Sequence, residues 1–156
     1  MTTHLEKYLT KSPDPVTIEG TEKILEQMRK CVCKIHVSNR IKGTGFFTKI
    51  LYNSKYLQVL ITNQHVLTKD EINKTKKIVI SLNNQKEFKT LKLDNTRLIY
   101  TDEGIDITMV EIKISEDKIE NFLEIDEQIN EEYLNEIYIN KSIYVLGYPE
   151  NKNIMV

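Results

Sequence analysis

Hydrophobic and polar positions alternate with a period of two along most of residues 31–112. Short runs rich in β-branched and aromatic residues recur there at intervals of about 8–12 residues, which is the spacing typical of antiparallel sandwiches and barrels. The predicted strands cover residues 32–37, 43–48, 56–62, 77–82, 88–93, 97–100 and 107–112. The pattern therefore predicts a mostly-β fold, an antiparallel β-barrel built from about seven strands.

A different period precedes the strands. Ile24, Leu25 and Met28 share one face at helical spacing, which predicts a short amphipathic helix near residues 21–30. Residues 69–74 are polar and predict a helix or a loop between two strands.

Composition divides the chain into four segments. They are an extended, polar lead-in at 1–19, the strand-rich region at 20–114, an acidic connector at 115–141, and a return to strand character at 142–156. The last segment contains S-I-Y-V-L-G-Y-P, in which glycine and proline end the strand.

Charge is unevenly distributed, although the net charge is only −1. Residues 1–100 hold 18 Lys and Arg against 9 Asp and Glu, whereas residues 101–140 hold 2 Lys against 13 Asp and Glu. The lysines stand singly between apolar strand positions, where they discourage edge-to-edge pairing, and no basic strand is interleaved with aromatic residues. We therefore expect no nucleic-acid partner. No apolar run approaches the roughly 18–20 residues of a membrane span, so we expect no membrane partner either.

Two cysteines, Cys31 and Cys33, form an isolated C-x-C, a weak metal signal and no disulfide framework. No pair of histidines has the spacing of a zinc motif. With 156 residues, 40% hydrophobic content and no visible signal peptide, the chain is expected to be one domain of about ordinary size in a reducing, intracellular compartment, the cytoplasm. No metal or other cofactor is expected.

Two residues stand out as candidates for chemistry. His65 directly follows the apolar run ending at Thr62, so a strand would deliver its imidazole into a turn. Asp106 stands between two isoleucines at the start of another strand, where an unpaired carboxylate would be costly to bury. A histidine N–H is one partner that would satisfy it and fix the imidazole tautomer. Each residue alone could equally be a strand cap.

Four motifs occur in one order along residues 31–149. They are G-T-G-F-F at 43–47, L-I-T-N-Q-H-V at 60–66, D-I-T-M-V at 106–110 and V-L-G-Y-P at 145–149. The ordered set resembles trypsin-like serine proteases, especially the non-secreted branch with T-N-x-H-V at the histidine.

That resemblance implies two six-stranded barrels with the catalytic residues between them, the second barrel beginning at 142–156. It implies that His65 is the general base and that Asp106 orients it, while Gly43 and Gly45 allow close packing nearby. It implies serine-type endopeptidase activity on peptide or protein substrates, without a cofactor.

The nucleophile of such enzymes lies in a G-x-S-G segment, and no serine of this chain has that setting. The expectation is therefore a fragment: the first half of such an enzyme, inactive alone, that needs the missing C-terminal barrel or a protein partner. The alternatives are a non-catalytic, protease-like interaction module and, with weaker support, a basic β-barrel that binds nucleic acid.

Overall fold

The protein is described by a computed structural model that covers residues 15–83 and 86–125. The described elements are α1 (Ile18–Cys31), β1 (Val32–Val37), β2 (Arg40–Tyr52), β3 (Lys55–Thr62), α2 (Lys69–Thr75), β4 (Lys77–Leu82), β5 (Glu87–Lys92), β6 (Ile99–Asp102), β7 (Ile107–Glu111) and α3 (Ile114–Asp117). The predicted return to strand at 142–156, residues 126–141 of the acidic connector and residues 1–14 of the lead-in lie outside the described residues.

The seven strands form one antiparallel sheet in the order β5-β4-β1-β2-β3-β7-β6. The mostly-β prediction is therefore confirmed, as is the number of strands. In the described part of the chain β5 and β6 are the two edges, with no ladder joining them. Closure of this sheet into a barrel stays a prediction.

Alternation along each strand builds the core on one face of the sheet. Cys33, Ile35 and Val37 of β1 are buried together with residues of the other strands and of the turn that follows β3. Each fully buried Ile, Leu or Val side chain contributes roughly 1.5–3 kcal/mol relative to exposure. The sheet and the turn after β3 thus share one hydrophobic core.

Two hairpins close through two-residue turns in the left-handed region. Ser38 and Asn39 join β1 to β2, and Asn53 and Ser54 join β2 to β3, all four with φ between 48° and 64°. This conformation matches the twist of antiparallel strands. Between these two turns β2 runs for 13 residues, so it is much longer than the strand at 43–48 that the sequence predicted.

The helix α1 is longer than the predicted 21–30. Thr17 caps it, its Oγ1 accepting the Gly20 N–H at 3.0 Å, so the helix begins at Ile18. It also includes Cys31, the residue at which the two-residue period was expected to begin. Met28 and Cys31 are its buried residues, so the predicted packing face is correct at Met28.

The segment after β7 stays attached to the sheet. Asp117 on α3 binds Arg97, and Leu123 pairs with Thr48 of β2, the Leu123 N–H donating to the Phe47 carbonyl at 2.8 Å. The predicted boundary at 114/115 falls inside α3, and the first residues of the acidic connector pack against the strand domain. None of the helices in residues 15–83 and 86–125 is long and apolar enough to cross a membrane.

Candidate active site

His65 lies in a tight turn that begins directly after β3, as the sequence predicted. The Asn63 carbonyl accepts the N–H groups of Val66 and Leu67 at 3.1 and 3.2 Å. Val66 and Leu67 are buried, whereas His65 is exposed. Two apolar anchors therefore hold the turn on the core while the imidazole faces outward.

A glycine makes room for this turn. A Cβ on Gly43 would lie 2.6 Å from Val66 Cγ2, closer than real Cβ contacts allow. A Cβ on Gly45 would likewise lie 2.8 Å from side-chain atoms of Ile35 and Leu60. The expectation that these glycines permit close packing near the histidine is confirmed for Gly43, whose neighbour Val66 follows His65 directly.

The helix α2 fixes the other end of the turn. Thr68 and Glu71 form a reciprocal capping box, the Thr68 Oγ1 accepting the Glu71 N–H at 3.1 Å and Glu71 Oε2 accepting the Thr68 N–H at 3.1 Å. Lys42 of β2 lies 3.2 Å from the other Glu71 oxygen. The chain on both sides of His65 is thereby held to the sheet.

Asp106 occupies the last position of the turn between β6 and β7. Its backbone is left-handed, with φ 52°, a region that Asp tolerates better than most residues. The carboxylate is not buried as its apolar neighbours suggested: its side chain is 43% exposed, and Ile105 beside it is 66% exposed. The expected pairing is nonetheless present.

Pairing of β3 with β7 brings His65 and Asp106 together. The register aligns Thr62 with Thr108, so the turn after β3 and the turn before β7 meet at one end of the ladder. The Thr108 hydroxyl also donates to the Leu67 carbonyl at 2.8 Å. Closure of the sheet into a barrel is not needed for this contact, because β3 and β7, which precede and follow the two turns, are direct neighbours.

His65 contacts the Asp106 carboxylate with both its ring and its backbone. His65 Nδ1 lies 2.8 Å from Asp106 Oδ2, and the His65 backbone N–H donates to Oδ1 at 3.0 Å. Because an ionised carboxylate only accepts hydrogen bonds, Nδ1 donates in this contact, and in the neutral ring Nε2 then has the lone pair. The His65 side chain is 69% exposed.

The carboxylate is stabilised in its charged form. The His65 backbone N–H is the largest influence and lowers the pKa of Asp106, partial burial raises it, and the His65 ring and the Asn63 side chain lower it further. The pKa of Asp106 is therefore below its ordinary value. An ionised acceptor behind Nδ1 is the arrangement in which Nε2 can take a proton from a nucleophile.

Asn63 and the pair Gln64–Glu103 belong to the site but were missed from the sequence. The Asn63 amide donates to Asp106 Oδ2 at 3.1 Å and to the Asp106 carbonyl at 3.4 Å. The Gln64 amide donates to Glu103 Oε1 at 3.3 Å, and its backbone N–H donates to the Asp106 carbonyl at 3.1 Å. The asparagine of T-N-x-H-V was the one available signal.

The other residues considered for chemistry lie elsewhere. His36 on β1 has its Nε2 2.9 Å from the hydroxyl of Ser81, which is buried, and His4 lies outside the described residues. Both cysteines are free and buried, and burial raises the pKa of each thiol. No described serine or cysteine bonds to the His65 ring, and the described residues contain no group of His, Cys, Asp and Glu that could hold a metal ion.

No protein-family model matches the chain, and no curated protein matches it.

Proposed function

We propose that His65 and Asp106 are the general base and its orienting carboxylate in a serine-type endopeptidase that resembles the trypsin-like proteases. One observation carries the proposal: an exposed imidazole whose Nδ1 is held at 2.8 Å by a carboxylate that accepts two further N–H groups. The two side chains do not need to pair in order to avoid a buried, unpaired charge, because both are exposed to solvent. The contact with Asp106 selects the Nδ1–H tautomer of the neutral His65 ring and sets the direction in which Nε2 points.

The chemistry follows from that tautomer. Nε2 removes the proton of a serine hydroxyl as the oxygen attacks a peptide carbonyl, and Asp106 stabilises the imidazolium that forms. The same proton then passes to the leaving amine. Free, buried cysteines fit a reducing, intracellular location, which belongs to the same proposal.

The nucleophile has to come from outside the 156 residues, because no serine here stands in a G-x-S-G setting. A C-terminal barrel packed on this sheet, closed into the first barrel of a double-barrel enzyme, would bring that serine to Nε2. The oxyanion hole and the specificity pocket would come from the same barrel.

The test compares the chain alone with its reading frame extended past Val156. Neither form of the chain alone, wild type or His65→Ala, should react with a fluorophosphonate probe. The extended protein should be labelled on a G-x-S-G serine and should hydrolyse peptides. Asp106→Asn should reduce that hydrolysis by about 10⁴-fold, the loss known for the equivalent change in the Ser-His-Asp template. Labelling and hydrolysis that survive His65→Ala would reject the proposal.

The alternative is a non-catalytic, protease-like module that binds a protein partner. Its support is the tip of the β2–β3 hairpin, where Leu51 and Tyr56 are cross-strand partners and are 70% and 56% exposed. The same experiment separates the two functions, because an interaction module has no labelled serine in any extended form.

A further inference from the structure

Besides the His65 imidazole, Asn63 is the one side chain in the described part of the chain that donates a hydrogen bond to the Asp106 carboxylate. Its carbonyl accepts the Val66 and Leu67 N–H groups, which fixes the position of its backbone in the turn. Its side chain then crosses from the turn after β3 to the turn before β7. Asn63 therefore joins the two chain segments that carry His65 and Asp106.

The orientation of the Asn63 amide follows from its partners. Both of them, the Asp106 carbonyl and Asp106 Oδ2, are acceptors, so only the NH₂ group can face them. Oδ2 is also the oxygen that accepts from His65 Nδ1. The amide thus binds the same oxygen as the imidazole and limits the rotation of the carboxylate.

We propose that Asn63 is a positioning residue, which holds the Asp106 carboxylate ionised and aimed at Nδ1 so that His65 keeps its lone pair on Nε2. The value of this role for catalysis rests on the proposed function, whereas the effect on tautomer and titration does not.

The charged groups around Asp106 do not offer a substitute. His65 is the single ion-pair partner of Asp106 in the described part of the chain. Asp102 in the same turn is bound by the N–H groups of Gly104 and Ile105 and by the Tyr100 hydroxyl, and Glu103 is bound by Gln64.

Gln64 provides matched controls, because its amide also bridges the two turns but binds Glu103 instead of Asp106. Asn63→Ala and Gln64→Ala each delete one bridging amide. Asn63→Asp and Gln64→Glu each replace an amide by a carboxylate of the same shape, and only the former places that charge against Asp106.

The experiment is an NMR titration of the isotope-labelled chain, following the Asp106 carboxyl carbon and the His65 ring nitrogens. Asn63→Ala should raise the Asp106 midpoint by roughly half a pH unit, since two or three donors together lower a carboxyl pKa by about two. Asn63→Asp should raise it by more than about one, because two carboxylates then share a site. Both variants should lower the population of the Nδ1–H tautomer, and the Gln64 variants should change neither quantity.

Unchanged Asp106 and His65 signals in both Asn63 variants would overturn the proposal, as would equal changes in the Gln64 variants. If Asn63→Ala fails to fold, the isosteric Asn63→Asp decides alone. The titration can give the expected shifts while the extended protein shows no serine labelling. That combination would support the positioning role of Asn63 and reject the proposed function. In an active extended form, Asn63→Ala should lower kcat roughly tenfold to a hundredfold with little change in KM, since misoriented groups lose rates of that size.

Discussion

Two aspartates of this domain, Asp106 and Asp117, accept the same kinds of hydrogen bond in opposite environments. Asp106 accepts hydrogen bonds from the ring and the backbone N–H of His65. Asp117 accepts them from Arg97 Nη1 and Nη2 at 2.7 and 2.9 Å and from the Lys113 N–H at 2.8 Å. The side chains of His65 and Asp106 are 69% and 43% exposed, whereas those of Arg97 and Asp117 are 2% and 4% exposed.

The difference shows that the same type of contact can have two different roles in one domain. Burial alone would lower the pKa of Arg97, but the hydrogen bonds and charge of Asp117 outweigh burial and leave it raised. That pair is closed to solvent and attaches α3 to the sheet. The His65–Asp106 pair is open to solvent and contributes less to stability.

The largest expected effect is on stability at the buried pair. Asp117→Asn leaves a buried guanidinium without its counter-charge and should lower the free energy of unfolding by about 3–5 kcal/mol. Asp106→Asn, which also tolerates the left-handed backbone, should cost far less. Urea unfolding of both variants measures the contrast, and equal losses would contradict it.

A double replacement sharpens the same point. Arg97→Met with Asp117→Leu removes both charges and fills a similar volume, so it should regain most of the stability lost in Asp117→Asn. A double variant as unstable as Asp117→Asn would mean that the hydrogen bonds lost with both side chains, from the Lys113 N–H to Asp117 and from Arg97 to the Glu111 carbonyl, cost as much as the unpaired charge.

Packing under the exposed pair gives the next largest effect. Gly43→Ala should lower the free energy of unfolding by about 1–3 kcal/mol, because its Cβ would overlap Val66. Adding Val66→Ala should remove most of the overlap. Gly104→Ala is the control, since its Cβ would lie 3.3 Å from an Asp102 oxygen at an exposed turn. Chemical denaturation of the three variants checks the order, and equal losses at Gly43 and Gly104 would contradict it.

The exposed pair should reveal itself by pH. Because the pKa of Asp106 is lowered in the folded state, its contribution to stability is fully present above the ordinary Asp value of about 3.9. It is lost as the pH falls through the lower, folded-state pKa. The Tm difference between wild type and Asp106→Asn should therefore shrink below about pH 4. A difference that stays constant down to pH 2 would show that Asp106 is not ionically stabilised.

The smallest effect concerns the second histidine of the sheet. Burial, followed by the charge of Lys34, lowers the pKa of His36. The midpoint of its ring C–H signals should therefore lie below the ordinary histidine value of about 6.5. Because the unfolded chain takes up the proton more readily, stability should fall as the pH drops through that value, and His36→Gln should weaken this dependence. A midpoint above 6.5 would contradict the prediction that the pKa of His36 is lowered in the folded protein.

Much of the fold could be predicted from residue patterns. Apolar alternation in residues 32–37 and 77–82 reproduces β1 and β4 to the residue, because inward-facing positions on a strand must be apolar every second residue. The start of β6 was placed two residues early, at Arg97. Arg97 is buried because it pairs with Asp117, 20 residues later in the chain. A local pattern treats a charged residue as exposed, so it could not predict this burial.

The site divides in the same way. His65 and Asp106 stand out in the sequence because each lies at the end of a predicted strand and because the order of their motifs resembles that of trypsin-like proteases. Their meeting depends on the β3–β7 register, and the partial exposure of Asp106 depends on its left-handed turn. Neither is encoded in the residues next to them. The role of Asn63 needs both, so it could not be inferred before the two turns were placed side by side.

The hydrogen bond from the His65 backbone N–H to Asp106 Oδ1 makes that amide proton a reporter. An amide in an exposed turn ordinarily exchanges with solvent deuterium quickly, yet this one is held by a carboxylate. Its exchange rate will track the charge and orientation of Asp106, and will slow or quicken whenever a bound molecule or a docked chain alters them. Deuterium uptake at a single peptide can thus monitor occupation of the site without a substrate, a label or a turnover event.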